Sequence, residues 1–187
     1  LSRCYSFSPF VISVMIVLGK DGDKVKIVVV SDSHGRDDLL YDLQLQHGDA
    51  DAFLHCGDVE NDAESFPGYV IVQGNNDYYY DLPAERILPF GEHRILLIHS
   101  HQFPYRKREE RMRAYAQERG CDIVCYGHTH VADLHRADGI TLLNPGSLKY
   151  SRDGRPPSYA ILTLDGPRVD AKHIFLEPPK SKSRFFW

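Results

Sequence analysis

Apolar residues along this chain fall into short runs of β-formers, and five of the runs end abruptly in glycine, aspartate, asparagine or histidine. The runs cover residues 26–30, 52–55, 69–72, 94–98 and 123–125, and their length and bounding residues predict strands. Residues 37–46 place Leu39, Leu40 and Leu43 at helical spacing behind an acidic start, which predicts a helix. Residues 107–119 place Met112, Tyr115 and Ala116 on one face and stop at Gly120, a second helix. Residues 61–66 read as a loop or a short helical turn. Three hairpins follow from the turn residues. The first spans 85–98 around Phe90-Gly91-Glu92-His93, and the second joins 131–136 to 140–143 through Ala137-Asp138-Gly139. The third joins 159–164 to 168–176 through Asp165-Gly166-Pro167 and is expected to close a second sheet. Asn144-Pro145-Gly146-Ser147 is a tight turn. Strands alternating with helices and then hairpins predict an α/β fold.

The five polar endings carry the chemistry. They are Asp32-Ser33-His34, Gly57-Asp58, Gly74-Asn75-Asn76-Asp77, His99-Ser100-His101 and Gly127-His128-Thr129-His130. In an α/β fold the C-terminal ends of neighbouring strands converge on one crevice, so side chains far apart in sequence meet there. Carboxylates, an Asn carbonyl and imidazoles suit Mn, Fe or Zn, and no thiolate falls inside the motifs. Each motif alone arises readily by chance; their order and their placement at strand ends point to a metal site.

The length of 187 residues suits one domain, expected at 25–177, between an N-terminal extension at 1–24 and a polar, proline-bearing tail at 178–187. The extension holds an apolar stretch at 9–18 that is too short to span a bilayer. Only Arg3 precedes it and no Ala-x-Ala-like cleavage site follows, which speaks against export. Four scattered cysteines make no disulfide framework and read as buried, reduced thiols, which suits a cytoplasmic protein. A formal net charge of -4 argues against stable nucleic-acid binding but leaves a small phosphate substrate open, because bound metal charge outweighs the global balance locally. No membrane partner is expected, and a homo-oligomeric state stays open.

These five motifs in this order resemble the metallophosphoesterase (calcineurin-like) superfamily, in particular its small bacterial and archaeal phosphodiesterase branch. The likeness runs from about Val25 to Leu176 and includes the Asn144 to Ser147 turn. It implies a four-layer αββα sandwich with two mixed β-sheets and a dinuclear centre at one edge. By resemblance, Asp32, His34 and His130 hold one metal, Asn75, His99 and His128 hold the other, and Asp58 bridges them. A carboxylate is also, on chemical grounds, the side chain here able to join two cations. The cofactors implied are two divalent ions, manganese foremost, with nickel, iron, zinc or magnesium as alternatives. Two divalent ions less the charges of Asp32 and Asp58 leave a net positive centre for a phosphoester substrate. The expected reaction is in-line attack by a metal-bridging hydroxide without a covalent enzyme intermediate. The alternative is a catalytically weak, protein-binding scaffold, since the fold also resembles a retromer subunit; retention of all seven ligands favours the enzyme.

Two positions depart from the family pattern. Where the wider superfamily often has a proton-donating His after the Asn ligand, this chain has Asn76, which with Asn75 can contact a phosphate but cannot supply the proton. His101 is the candidate substitute acid, or else a loop cap or neutral phosphate donor. Ser100 replaces the glycine usual between the two histidines, at a position where glycine would tolerate unusual backbone angles. Asp77 is expected either to orient a ligand His or to lie solvated in its loop, and Tyr78, Tyr79 and Tyr80 either to wall a pocket or to pack. Arg106, Lys107, Arg108, Arg111 and Arg113 either steer anions or form the wet face of a helix.

Overall fold

The computed structural model describes residues 24–177, so Cys4, the apolar stretch at 9–18 and the tail at 178–187 lie outside the described residues. In chain order the elements are β1 (Val25–Val30), α1 (Asp37–Gln46), β2 (Ala52–His55), a 3-10 turn (Ala63–Ser65), β3 (Tyr69–Ile71), β4 (Glu85–Phe90) and β5 (His93–Ile98). They continue with α2 (Arg108–Glu118), β6 (Ile123–Cys125), β7 (Asp133–Ala137), β8 (Ile140–Asn144), β9 (Ser158–Asp165) and β10 (Arg168–Phe175). Two mixed five-stranded sheets result, ordered β10-β9-β1-β2-β3 and β4-β5-β6-β8-β7. Within them β1, β2 and β3 run parallel, as do β5, β6 and β8. The first hairpin turns at Gly91 (φ 58°), and the second at Asp138 and Gly139 (φ 54° and 75°), left-handed angles that glycine and aspartate tolerate better than most residues.

Alternation along the strands sets the layers. Ile27 and Val29 of β1 join Leu54, Ile95, Leu97, Ile123, Cys125 and Leu143 in a core between the sheets. Their neighbours Val28 and Val30 face the other way, against Leu40 and Leu43 of α1. On the second sheet Leu96, Ile98, Val124 and Leu142 face out against Met112 and Ala116 of α2. Helix, sheet, sheet and helix thus stack in four layers, and near-continuous apolar strands are what a sheet covered on both faces requires. Each fully buried Leu or Ile contributes about 1.5–3 kcal/mol of transfer free energy.

The last hairpin departs from expectation. It does not complete the second sheet; β9 pairs antiparallel with β1 and lengthens the first. The turn after β8 carries the chain across, tied by Leu148 N–H to Ser31 O (3.2 Å) and by Ser158 Oγ to Pro145 O (2.8 Å). Ala160, Leu162 and Leu164 then bury in the intersheet core, a gain that alternation alone could not assign to one sheet or the other. Cys56, Cys121 and Cys125 are buried free thiols, and burial pushes the Cys125 thiol up to about 12. Among the described residues no helix is long and apolar enough to cross a membrane.

At the end of the sandwich away from the motifs, buried His93 bonds through Nδ1 to Asp122 Oδ2 (2.5 Å) and through Nε2 to Gly166 O (2.8 Å). Both partners only accept, so both ring nitrogens donate and the ring is cationic. Burial disfavours the charge, but the Asp122 carboxylate and the Gly166 carbonyl outweigh it and raise the pKa. A raised folded-state value means this clamp between sheets stabilises fully below the unfolded His pKa, about 6.5, and fades as pH rises through the folded value. Urea titrations of wild type and His93→Gln should therefore differ by about 1–3 kcal/mol at pH 6. The gap should narrow toward pH 9, and a gap independent of pH would refute the cationic clamp.

Candidate metal centre

All five motifs lie just past the C-terminal ends of parallel strands. Asp32 and His34 follow β1, Asp58 follows β2 and Asn75 follows β3 on the first sheet, while His99 follows β5, and His128 and His130 follow β6 on the second. The site therefore straddles the seam between the sheets. Sharp turns bring the side chains inward: Asp32, His34, Asp58, Ser100, His128 and His130 all have positive φ, between 43° and 77°. Left-handed backbone costs an L-residue about 1–2 kcal/mol, so six such positions in one place mark a site held by its surroundings. Glycines allow the turns to approach. A Cβ on Gly74 would lie 2.1 Å from Asp58 Oδ1, and one on Gly57 would lie 2.8 Å from His99 Nδ1.

Hydrogen bonds to the far side of each imidazole aim it. His99 Nδ1 donates to Cys56 O (2.7 Å) and His130 Nδ1 to Tyr150 O (3.1 Å), which turns each Nε2 toward the crevice, where it holds a proton in the absence of metal or offers a lone pair to a cation. His34 Nδ1 is paired with Glu60 Oε1 (2.7 Å), so its Nε2 faces inward too, 3.3 Å from His130 Nε2. Asp32 Oδ1 lies 3.1 Å from His130 Nε2 and 3.9 Å from His99 Nε2. Asp58 Oδ2 lies 3.4 Å from His99 Nε2 and 3.9 Å from His34 Nε2, within reach of both halves of the cluster. Asn75 Oδ1 meets His128 Nδ1 at 2.8 Å and His99 Nε2 at 3.2 Å.

Two sets of ligand atoms, from Asp32, His34 and His130 and from Asp32, Asp58 and His99, each lie within 4.8 Å of one another. Asp32 Oδ1 is buried with no hydrogen-bond partner. An orphaned carboxylate oxygen amid converging imidazole nitrogens lacks a cation more than a hydrogen bond, so the residues fit divalent metal. Burial alone would raise the Asp58 pKa, but the hydrogen bond and charge of His99 and the Asn76 N–H bring it down to about 2. Asp32 is lowered likewise, with His130 and His99 outweighing its burial. Burial, His99 and Arg108 lower His128 to about 4, which keeps it neutral as a ligand must be.

Comparison with known proteins agrees with this geometry. The family described as "Calcineurin-like phosphoesterase superfamily domain" matches residues 25–166. The chain belongs to the calcineurin-like phosphoesterase superfamily. It is 34% identical over 144 residues to "Probable metallophosphoesterase YsnB" of Bacillus subtilis, covering 75% of this chain and 85% of that one. "Phosphodiesterase YfcE" of Escherichia coli is 30% identical over 105 residues, about half of each chain (51% and 53%). Among solved structures, a predicted phosphoesterase from Streptococcus pneumoniae superposes with a TM-score of 0.77 at 30% identity, over 82% of this chain and 90% of that one. Membership implies a phosphoester substrate and a divalent-metal site.

In this phosphoesterase all seven candidate ligands come together, and the other predicted site residues lie around them. The His101 ring is 5.5 Å from His99 and 6.3 Å from His128 between centroids, beside the cluster and exposed. Asn76 spends its donors on Asp58, backbone N–H to Oδ1 (2.8 Å) and side-chain amide to Oδ2 (3.1 Å). Asp77 departs from both expectations, since it is fully buried and touches no ligand histidine. Its carboxylate instead accepts the N–H groups of Asp58 (2.7 Å), Val59 (3.4 Å), Glu60 (2.7 Å) and Gly74 (2.8 Å), binding one ligand loop to the next. Tyr78 and Tyr79 are exposed with their rings tilted against each other, and Tyr80 donates to Glu60 O (2.8 Å). Sequence reasoning passed over Glu60, Lys149 and Tyr150, and read Ser147 only as part of its turn. Ser147 Oγ donates to Asp32 O (2.8 Å) and Lys149 Nζ to His34 O (2.9 Å), so the Asn144 turn braces the first motif.

Ser100 takes the strained angle (φ 77°) and offsets it with a hydrogen bond from its Oγ to Gly127 O (3.1 Å). Ser100→Ala keeps the strain and loses the bond, at a cost of about 1 kcal/mol, whereas Ser100→Gly loses both and should be near neutral. Equal destabilisation of the two in urea would contradict this balance. Asp77→Asn, which removes a carboxylate serving four amides, should cost about 1–3 kcal/mol and weaken Mn binding about 10–100-fold by calorimetry.

Proposed function

We propose that this phosphoesterase is a phosphodiesterase that holds two divalent cations, manganese foremost, and hydrolyses its substrate by direct in-line displacement at phosphorus. The observation that carries the reading is the orphaned Asp32 Oδ1 within a cluster of Asp58, Asn75 and inward-facing imidazoles. Asp32, His34 and His130 would hold one ion, Asn75, His99 and His128 the other, with Asp58 between them. When bound, such ions lower the pKa of water toward neutrality and draw in an anionic phosphoryl oxygen. The protein's share is positioning: hydrogen bonds from His99 Nδ1 to Cys56 O, from His130 Nδ1 to Tyr150 O and from His34 Nδ1 to Glu60 fix the ring orientations before substrate arrives.

Bond by bond, oxygen from water joins phosphorus as the ester oxygen departs, and the departing oxygen takes up a proton. We assign that proton to His101, a reading supported by Asn76 being unable to donate one and engaged with Asp58. The YfcE likeness supports the diesterase choice over a monoesterase, and the full ligand set supports an enzyme over a scaffold.

Hydrolysis of bis(4-nitrophenyl) phosphate should vanish on chelation and return with Mn, and metal analysis should find two ions per chain. Asp58→Asn should lose on the order of a hundredfold or more in kcat. Retention of full activity in that variant, or no hydrolysis of mono- or diesters with Mn, Ni, Mg or Zn over a broad pH range, would sink the proposal. His101→Ala should slow diesters with poor leaving groups about 10²–10⁴-fold while sparing good ones; equal slowing would remove the acid role.

A further inference from the structure

Between β8 and β9 the chain runs along the metal centre, and hydrogen bonds fix it there. Lys149 Nζ donates to His34 O (2.9 Å), and the Tyr150 carbonyl accepts from His130 Nδ1 (3.1 Å). Arg152 donates twice, through its backbone N–H to His130 O (3.2 Å) and through a guanidinium nitrogen to His128 O (3.1 Å). Ser147 Oγ accepts the N–H groups of Lys149 and Tyr150 (both 3.1 Å) while it donates to Asp32 O (2.8 Å). This strap is thus tied to Asp32, His34, His128 and His130, residues from both halves of the candidate ligand set.

The strap carries one aromatic side chain, and it stands against the candidate ligands. The Tyr150 ring centre lies 4.6 Å from that of His130 and 6.2 Å from that of His34, within 20° of parallel to the latter. Contact with those rings does not enclose it, for Tyr150 remains 47% exposed. A large π-surface is therefore held rigidly beside the centre with nearly half of it open, where an ester group on a phosphoryl bound among these ligands would pass. Lys149 and Arg152 bracket the ring, and neither has a carboxylate partner among the described residues; the adjacent acid, Asp153, is engaged with Arg155. An open aromatic face between two cations matches a planar group joined to a phosphate.

We propose that Tyr150 is a specificity residue whose open ring stacks on a planar ring carried by one ester group of the phosphodiester. The substrate class is then a diester bearing a flat aromatic group of the nucleoside kind. Stacking reads a π-face and not a pattern of donors and acceptors, so the platform selects for planarity and accepts one base much as another. The proposal rests on the phosphodiesterase reading above and adds to it the residue that chooses the substrate.

A matched pair of ligands isolates the effect, because adenosine 5′-monophosphate and ribose 5-phosphate share sugar and phosphate and differ by the base. As competitive inhibitors of bis(4-nitrophenyl) phosphate hydrolysis by Mn-loaded enzyme, the nucleotide should show a Ki about tenfold below that of the sugar phosphate. Tyr150→Ala keeps the backbone carbonyl that aims His130 and should bring the two Ki values together. Tyr150→Leu, which keeps apolar bulk against the His130 ring, should do the same, while Tyr150→Phe and the control Tyr105→Ala should keep the wild-type ratio. A merely structural role for the ring would move both inhibitors equally, and calorimetric titration of each into the Mn-loaded protein reads the same ratio without turnover. Equal Ki values in wild type, or a ratio unchanged in Tyr150→Ala and Tyr150→Leu, would overturn the platform and leave the phosphodiesterase reading intact. Failure of wild type to cleave the diester with Mn, Ni, Mg or Zn would overturn that reading and this inference with it.

Discussion

Asp32 and Asp58 are buried carboxylates within reach of the same imidazoles, and among the described residues no lysine or arginine side chain pairs with either. An uncompensated buried carboxylate is costly, so the fold must supply positive charge from protons on histidine or from bound cations. Much of the surrounding architecture answers that need. The rings of His34, His99 and His130 are pinned from behind, the strand ends bend through left-handed turns, and glycines clear the space for loops to close. The tension is useful as well as costly: a site that is uncomfortable when empty of charge is one that binds cations readily.

Strand positions were legible because a run of β-formers stopped by Gly, Asp, Asn or His is a local signal, and the ligand set was legible because each ligand sits at such a stop. The helices were legible from the spacing of Leu40 and Leu43 and of Met112 and Ala116. What stayed hidden was whatever depends on partners without a residue-type signature. Cys56 and Tyr150 orient His99 and His130 through backbone carbonyls, which any residue carries. Asp77 looked like a loop residue or a histidine's partner, yet its four amide donors come from backbone brought near only by the fold. The last hairpin was misassigned for a related reason: alternation says which face of a strand is apolar, not which neighbour it will join.

The basic cluster after the His99 motif shows how structure separates readings that sequence leaves level. Five cations in a short stretch look alike on paper, but pairing with Glu109, Glu110 and Asp138 removes two of them from play. Paired and unpaired cations thus coexist in one segment, distinguished by which side chains find carboxylates.

The place of β9 beside β1 has a consequence for how the molecule is made. β1 leads into the first two candidate ligands, and one of its edges stays unpaired until β9, close to the far end of the described region, has left the ribosome. Until then a strand of Val25, Ile27, Val28, Val29 and Val30 presents an open, apolar edge to any other nascent chain. The element that starts the site is thus an aggregation hazard of the nascent chain, and it is silenced by a hairpin that contributes no candidate ligand.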